Sequence, residues 1–117
     1  MVKKGLLLCV CQGSCPSFQE LDEYKALNEI RRAGLVEWVG LHPQLCSTDG
    51  DKYLVELLKG ADVDELYVGA CDPTMQTKMF RDAFAKAGFP ADKFHPVEIR
   101  NLNTEQVVEK LKAAMNA

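Results

Sequence analysis

Gly5-Leu6-Leu7-Leu8-Cys9-Val10-Cys11-Gln12-Gly13-Ser14-Cys15-Pro16 is the stretch on which the fold of this chain turns. Its apolar first half is rich enough in leucine to be buried on both faces, as an inner strand of a parallel sheet must be. Its second half is a loop marked by Gly13 and Pro16. Two later apolar runs also meet a cysteine: residues 35–43 precede Cys46, and Leu66-Tyr67-Val68-Gly69-Ala70-Cys71 ends on one. As neighbouring parallel strands, the three runs would line up their carboxyl ends along one edge of the sheet. Open α/β folds bind their ligands at that edge. Several thiolates converging there point to an iron–sulfur cluster.

The rest of the chain supplies the alternation that a parallel sheet needs. The first strand spans residues 4–10, and Ser17 caps the first helix with Glu20 as its capping-box partner. That helix runs to Ala33 with Phe18, Leu21, Leu27 and Ile30 inward; Arg31, Arg32 and Gly34 suit its end. A second strand at 35–41 holds Trp38 in the core. A helix at 51–59 then turns Tyr53, Leu54, Leu57 and Leu58 inward and stops at Gly60. After a strand at 65–71, Asp72-Pro73 opens a helix ending at Gly88, with Met75, Met79, Phe80, Ala83 and Phe84 on one face. Residues 94–99 form the fourth strand. Asn103 or Thr104 caps a last helix that packs through Val107, Val108, Leu111 and Met115. Short links imply right-handed crossovers. The predicted fold is α/β, one three-layer domain over residues 1–117, with a four-stranded parallel sheet in the order 2-1-3-4. Its switch point lies between strands one and three.

A length of 117 residues suits one compact domain. The net charge of −3 argues against a phosphate-backbone binder, so no nucleic-acid partner is expected. No apolar run approaches the roughly 20 residues of a membrane helix. The start of the chain is read as the first strand and not a signal segment, hence a cytoplasmic protein with no membrane partner. Five cysteines, an odd number, beside a sizeable apolar core speak for metal ligands or redox groups over disulfides. There is no Walker loop, no Gly-x-Gly-x-x-Gly and no His-Asp-Ser set, so hydrolysis and nucleotide binding have no support.

Cys9 and Cys11 stand two apart on a strand and face one side. Cys46 follows strand two, Cys71 ends strand three, and Cys15 lies further along the first loop. A cubane cluster takes four thiolates, and five are on offer. Helices starting after these loops would aim positive dipole ends at an anionic site, and Gly13 and Gly50 would let backbone amides approach the sulfurs. Arg100, at the end of strand four, stands at the same edge, either as a hydrogen-bond donor to the site or as a plain surface arginine. Core packing is the alternative for Cys9, and Cys15 is a spare thiol, an alternative ligand or loop packing. Four thiolates also suit zinc, but the paired Cys-x-x-Cys knuckles are missing. His42 and His95, each beside a proline, are read as structural, and Met75 and Met79 as facing the sheet.

These motifs resemble the N-terminal domain of the A-subunit family of heterodisulfide reductases, iron–sulfur flavoproteins of anaerobic electron metabolism. The matching elements are Cys9-Val10-Cys11, Leu45-Cys46-Ser47 with Asp49-Gly50, and Ala70-Cys71-Asp72-Pro73. Met79-Phe80-Arg81, Ala87-Gly88 and Ile99-Arg100 follow in the family's order. The resemblance implies a 4Fe-4S cluster with Cys9, Cys11, Cys46 and Cys71 at the ligand positions. It also implies a partner, a larger flavin and iron–sulfur oxidoreductase subunit that exchanges electrons with it. Two differences stand out: Gln12 precedes Gly13 where the family has glycine directly after Cys-x-Cys, and Cys15 has no counterpart. The family's flavin-binding and ferredoxin modules are absent from these 117 residues. The expected role is therefore electron transfer without FAD and without disulfide reduction by this chain alone. The competing readings are a thiol-redox or sulfur-relay protein working through Cys11 or Cys71, whose thiolates helix N-termini would favour, and a metal-free interaction module.

Overall fold

Leu6, Leu7 and Leu8, none with exposed surface, lie in strand β1 (Lys4–Cys9) at the middle of the computed structural model. The structure describes residues 3–9, 20–45, 47–60 and 63–116. A strand apolar on both faces must be covered on both. β1 pairs in parallel with β2 (Trp38–His42) on one side and β3 (Glu65–Ala70) on the other, and β3 pairs in parallel with β4 (Phe94–Glu98). The order is β2-β1-β3-β4, as the sequence predicts. Helices α1 (Glu23–Ala33) and α4 (Thr104–Asn116) cover one face; α2 (Thr48–Gly60) and α3 (Pro73–Ala87) cover the other. The chain leaves β1 toward β2 and returns across it to β3, so β1 and β3 flank the switch point.

Side-chain alternation divides the core. Leu6 and Leu8 pack with Ile30, Val107, Leu111 and Met115; Leu7 and Cys9 pack with Leu54, Val68, Phe80 and Phe84. Each fully buried leucine is worth about 1.5–3 kcal/mol. Phe84 sits 4.8 Å from Phe94 and 6.5 Å from Phe80, ring centre to ring centre, closing the second layer beneath α3.

Caps decide where the elements begin, and here the structure corrects several sequence expectations. The chain turns at Glu20 and α1 starts only at Glu23. Asp22 is its N-cap: Lys25 N–H donates to Asp22 Oδ1 at 3.1 Å, and Asp22 N–H donates to Thr104 Oγ1 at 2.8 Å, tying the head of α1 to that of α4. The proposed cap Ser17 and the inward Phe18 lie outside the described residues. β2 begins at Trp38, three residues later than expected; Leu35 and Val36 pack on the core ahead of it. α2 begins at Thr48, earlier than expected, because Ser47 Oγ accepts the Gly50 N–H at 3.0 Å.

The opening of α3 is as predicted, with Thr74 N–H on Asp72 Oδ1 at 2.8 Å, Pro73 in the first turn and Gly88 at φ 73°. Its inner face is not. Met75 is 50% exposed and Met79 41%, whereas Gln76, Phe80, Ala83 and Phe84 are buried. Positions 76, 80, 83 and 84 share one stripe at helical spacing, and a residue one place earlier lies about 100° round the helix. At α4, Asn103 and Gln106 satisfy each other's backbone N–H groups at 2.9 Å. His95 stacks on Tyr67 at 4.6 Å, with Nε2 3.0 Å from Glu65 Oε1.

Trp38 is half-buried, lying beside the core and not within it, and its ring covers Gly5 so closely that a Cβ there would sit 2.5 Å from Cζ2. Gly5→Ala should therefore cost about 1–3 kcal/mol through overpacking. The loss should shrink in a Trp38→Phe background, measured by urea unfolding of the four-member cycle. Equal losses in both backgrounds would show that the ring is not the obstacle. Burial also pushes the Glu23 carboxyl from 4.5 up to about 7. The folded state then holds a proton that the unfolded state has released, so stability falls as pH rises between those two values and levels off above the upper one. Glu23→Gln should raise the Tm at pH 8 and leave it unchanged at pH 4. An equal change at both would contradict this.

Candidate functional site

Parallel register fixes what meets at the carboxyl edge. Cys9, the last residue of β1, pairs with His42, the last residue of β2. Leu8 pairs with Gly69, so the end of β1 is level with Ala70, and Cys71 is the next residue along. With strands about 4.8 Å apart, Cys9 and Cys71 sit one strand apart and one residue out of step. Cys9 and Ala70 face the same layer, beneath α2 and α3.

Cys9 is 6% exposed, and its Sγ accepts the Leu45 N–H at 3.4 Å. That bond spans 36 residues and brings the backbone just before Cys46 onto the sulfur at the end of β1. Gly50 allows the approach. A Cβ there would lie 2.3 Å from the Leu45 carbonyl oxygen and 2.6 Å from that of Gln44, and backbone cannot swing away. The Gly50 N–H is used in capping α2. Ser47 Oγ lies 2.6 Å from the Gln44 carbonyl oxygen and 2.8 Å from Asp49 Oδ1, one of which takes its proton.

His42 closes the same loop. It is 7% exposed, and its Nδ1 accepts the Gln44 N–H at 3.0 Å. The proton of the neutral ring therefore sits on Nε2, 3.5 Å from Asp49 Oδ2. The ring rests 4.9 Å from that of Tyr53. Both nitrogens are engaged in holding the loop together.

Cys71 is half-buried in the bend between β3 and α3. The head of α3 points its positive dipole end toward this bend, a field that favours negative charge there. The Cys71 carbonyl accepts from Gln76 Nε2 at 3.0 Å. Gln76 is 3% exposed, and its Oε1 meets no donor among the described residues. Such an unpaired buried acceptor costs about 1–3 kcal/mol. Sequence reasoning passed over this residue; the available signal was a polar side chain four places before Phe80 on the buried stripe.

Arg100 follows β4 and is exposed, and its Nε donates to Glu98 Oε2. Cys11, Gly13, Cys15 and Cys46 lie outside the described residues. Among the described residues, no group of three or more His, Cys, Asp or Glu side chains is placed to hold a metal ion. No helix among them is long and apolar enough to cross a membrane. What the described residues do offer is two thiols at adjacent strand ends, one already receiving a backbone N–H. Cysteine thiolates are the ligands of iron–sulfur sites, and a backbone N–H on the sulfur, as at Cys9, is the kind of second contact such sites use, so both thiols are of the right chemistry for such a group.

No protein-family model matches the chain. Two curated proteins are similar to it. One is the iron-sulfur A-subunit 1 of the CoB–CoM heterodisulfide reductase of Methanopyrus kandleri, 24% identical over 123 aligned positions that cover 99% of this chain and 18% of that protein. The other is the A-subunit of the ferredoxin/F(420)H(2)-dependent CoB–CoM heterodisulfide reductase of Methanosarcina acetivorans, 28% identical over 97 positions, 82% of this chain and 12% of that protein. The chain thus spans less than a fifth of the length of either relative, and nearly all of itself is matched by one of them.

Proposed function

We propose that this chain holds a 4Fe-4S cluster at the carboxyl edge of its sheet and passes electrons to or from a larger flavin-containing, heterodisulfide-reductase-like oxidoreductase. Cys9, Cys11, Cys46 and Cys71 are the proposed ligands, with Cys15 as the spare thiol. The observation that carries the reading is the Leu45 N–H on Cys9 Sγ, at the strand end beside the one leading into Cys71. The similarity to an iron-sulfur subunit of a heterodisulfide reductase over almost the whole chain supports it from a second direction.

When bound, the cluster supplies one-electron exchange. The chain's own residues set its surroundings. The Leu45 N–H takes up part of the charge on Cys9 Sγ, and the dipole of α3 does the same in the Cys71 bend, both of which favour the reduced state. Burial of Cys9 under α2 and α3 keeps water from that sulfur. The exposed Met75 and Met79, in the first turns of α3 after Cys71, present soft apolar surface to a partner beside the site.

A second reading rests on the half-buried position of Cys71 at the head of α3. A persulfide or mixed disulfide at Cys71 or Cys11 would make the chain a sulfur relay or thiol-redox protein.

Iron and acid-labile sulfide should be measured on anaerobically purified wild type and the five single Cys→Ala variants. The proposal expects about four of each per chain in wild type, near zero in the Cys11, Cys46 and Cys71 variants, and wild-type values for Cys15→Ala. Loss with Cys15→Ala but not with Cys9→Ala would overturn the ligand set. Colourless wild type bearing a persulfide by mass spectrometry would replace the cluster reading with the relay.

A further inference from the structure

We infer that Gln76 is a positioning residue for Cys71, and that its carboxamide sets the conformation of the bend from which that side chain leaves. The bend is held on either flank by ordinary means. On the strand side, Ile99 N–H donates to the Ala70 carbonyl at 2.9 Å; on the helix side, Asp72 caps Thr74 N–H at 2.8 Å. Between them, the Cys71 carbonyl is taken by Gln76 Nε2 at 3.0 Å, a side chain reaching back five residues.

Apolar packing does not account for a glutamine here. It is 3% exposed on a stripe otherwise built from Phe80, Ala83 and Phe84. Its Oε1 is buried and meets no donor among the described residues, which weakens the fold. Methionine would fill nearly the same volume without the buried Oε1, but it would leave the Cys71 carbonyl without this donor. Nor can the amide turn over to relieve Oε1, because its oxygen would then oppose the Cys71 carbonyl oxygen. The carboxamide is retained at a cost to the core, and what it gains is a fixed Cys71 peptide. Cys71 is one of the thiols on which the proposed cluster depends, so the redox consequence of this inference rests on that reading; the geometry of the bend does not.

The test uses Gln76→Met, which removes both polar atoms, and Gln76→Glu, which sets a carboxylate against the Cys71 carbonyl. In the reduced, metal-free chain, iodoacetamide labelling resolved by peptide mass spectrometry should show the Cys71 rate shifted severalfold in Gln76→Met and further in Gln76→Glu. The Cys9 rate should stay at its wild-type value. The Tm of Gln76→Met should stay near that of wild type, because relief of the buried Oε1 offsets loss of the bond to the Cys71 carbonyl, so that a changed Cys71 rate is not a sign of general loosening. In iron-loaded protein, Gln76→Met should keep its iron but show a displaced midpoint potential and an altered spectrum of the reduced state. An unchanged Cys71 rate in both variants overturns the inference, as does a fall in Tm with Cys9 labelling rising in parallel. If wild type takes up no iron, the cluster reading fails while the labelling result still decides the role of Gln76.

Discussion

In a parallel sheet every strand points the same way, so the residues that end neighbouring strands have nowhere to go but a common edge. β1 is the strand on which this constraint bears most heavily. Its three leucines are buried on both faces, and it pairs on both sides, with β2 and with β3. A one-residue slip of β1 would move Leu7 and Cys9 out of the layer under α2 and α3 and put Leu6 and Leu8 in their place. In the observed register Cys9 stands level with His42 and Ala70, with its side chain in the layer under α2 and α3.

The carboxyl edge is then closed by small devices, each with a local cause. Gly50 lets the first turn of α2 press on the Gln44 and Leu45 carbonyls, Ser47 caps that turn, and His42 ties Gln44 and Asp49 from beneath. Together they hold the Leu45 N–H against Cys9 Sγ. Across the switch point, Gln76 performs the matching service for Cys71 at the expense of an oxygen that meets no donor among the described residues. Polar groups that weaken a core without weakening a site are what a binding edge on a parallel sheet is expected to show.

Sheet order and helix count were legible because their signals are local and repeated: Leu-rich runs, Asp72-Pro73, and glycines at 34 and 88 that take the left-handed conformation. Element starts were less legible because several residues compete to cap a helix, and neighbours in space decide the winner. Asp22 is held by Thr104 from the far end of the chain, and Ser47 by the Gln44 carbonyl. Met75 and Met79 share a helical face with Ala83 by spacing, so the sequence alone points them inward; the stripe that packs is instead the one Phe80, Ala83 and Phe84 form with Gln76. The contact between Leu45 and Cys9 had no local signal, since it joins two loops only after the sheet has formed. The cysteines as a set stood out by number and position; which of them meet is a question that only packing answers.

Anomalous diffraction at the iron edge, from crystals grown and frozen anaerobically, tests the central claim most directly. The account predicts one compact iron peak beyond the carboxyl ends of β1 and β3, bonded to the sulfurs of both Cys9 and Cys71. An iron-free edge in protein grown with full iron supply, or a peak that leaves Cys71 unbonded, would contradict it.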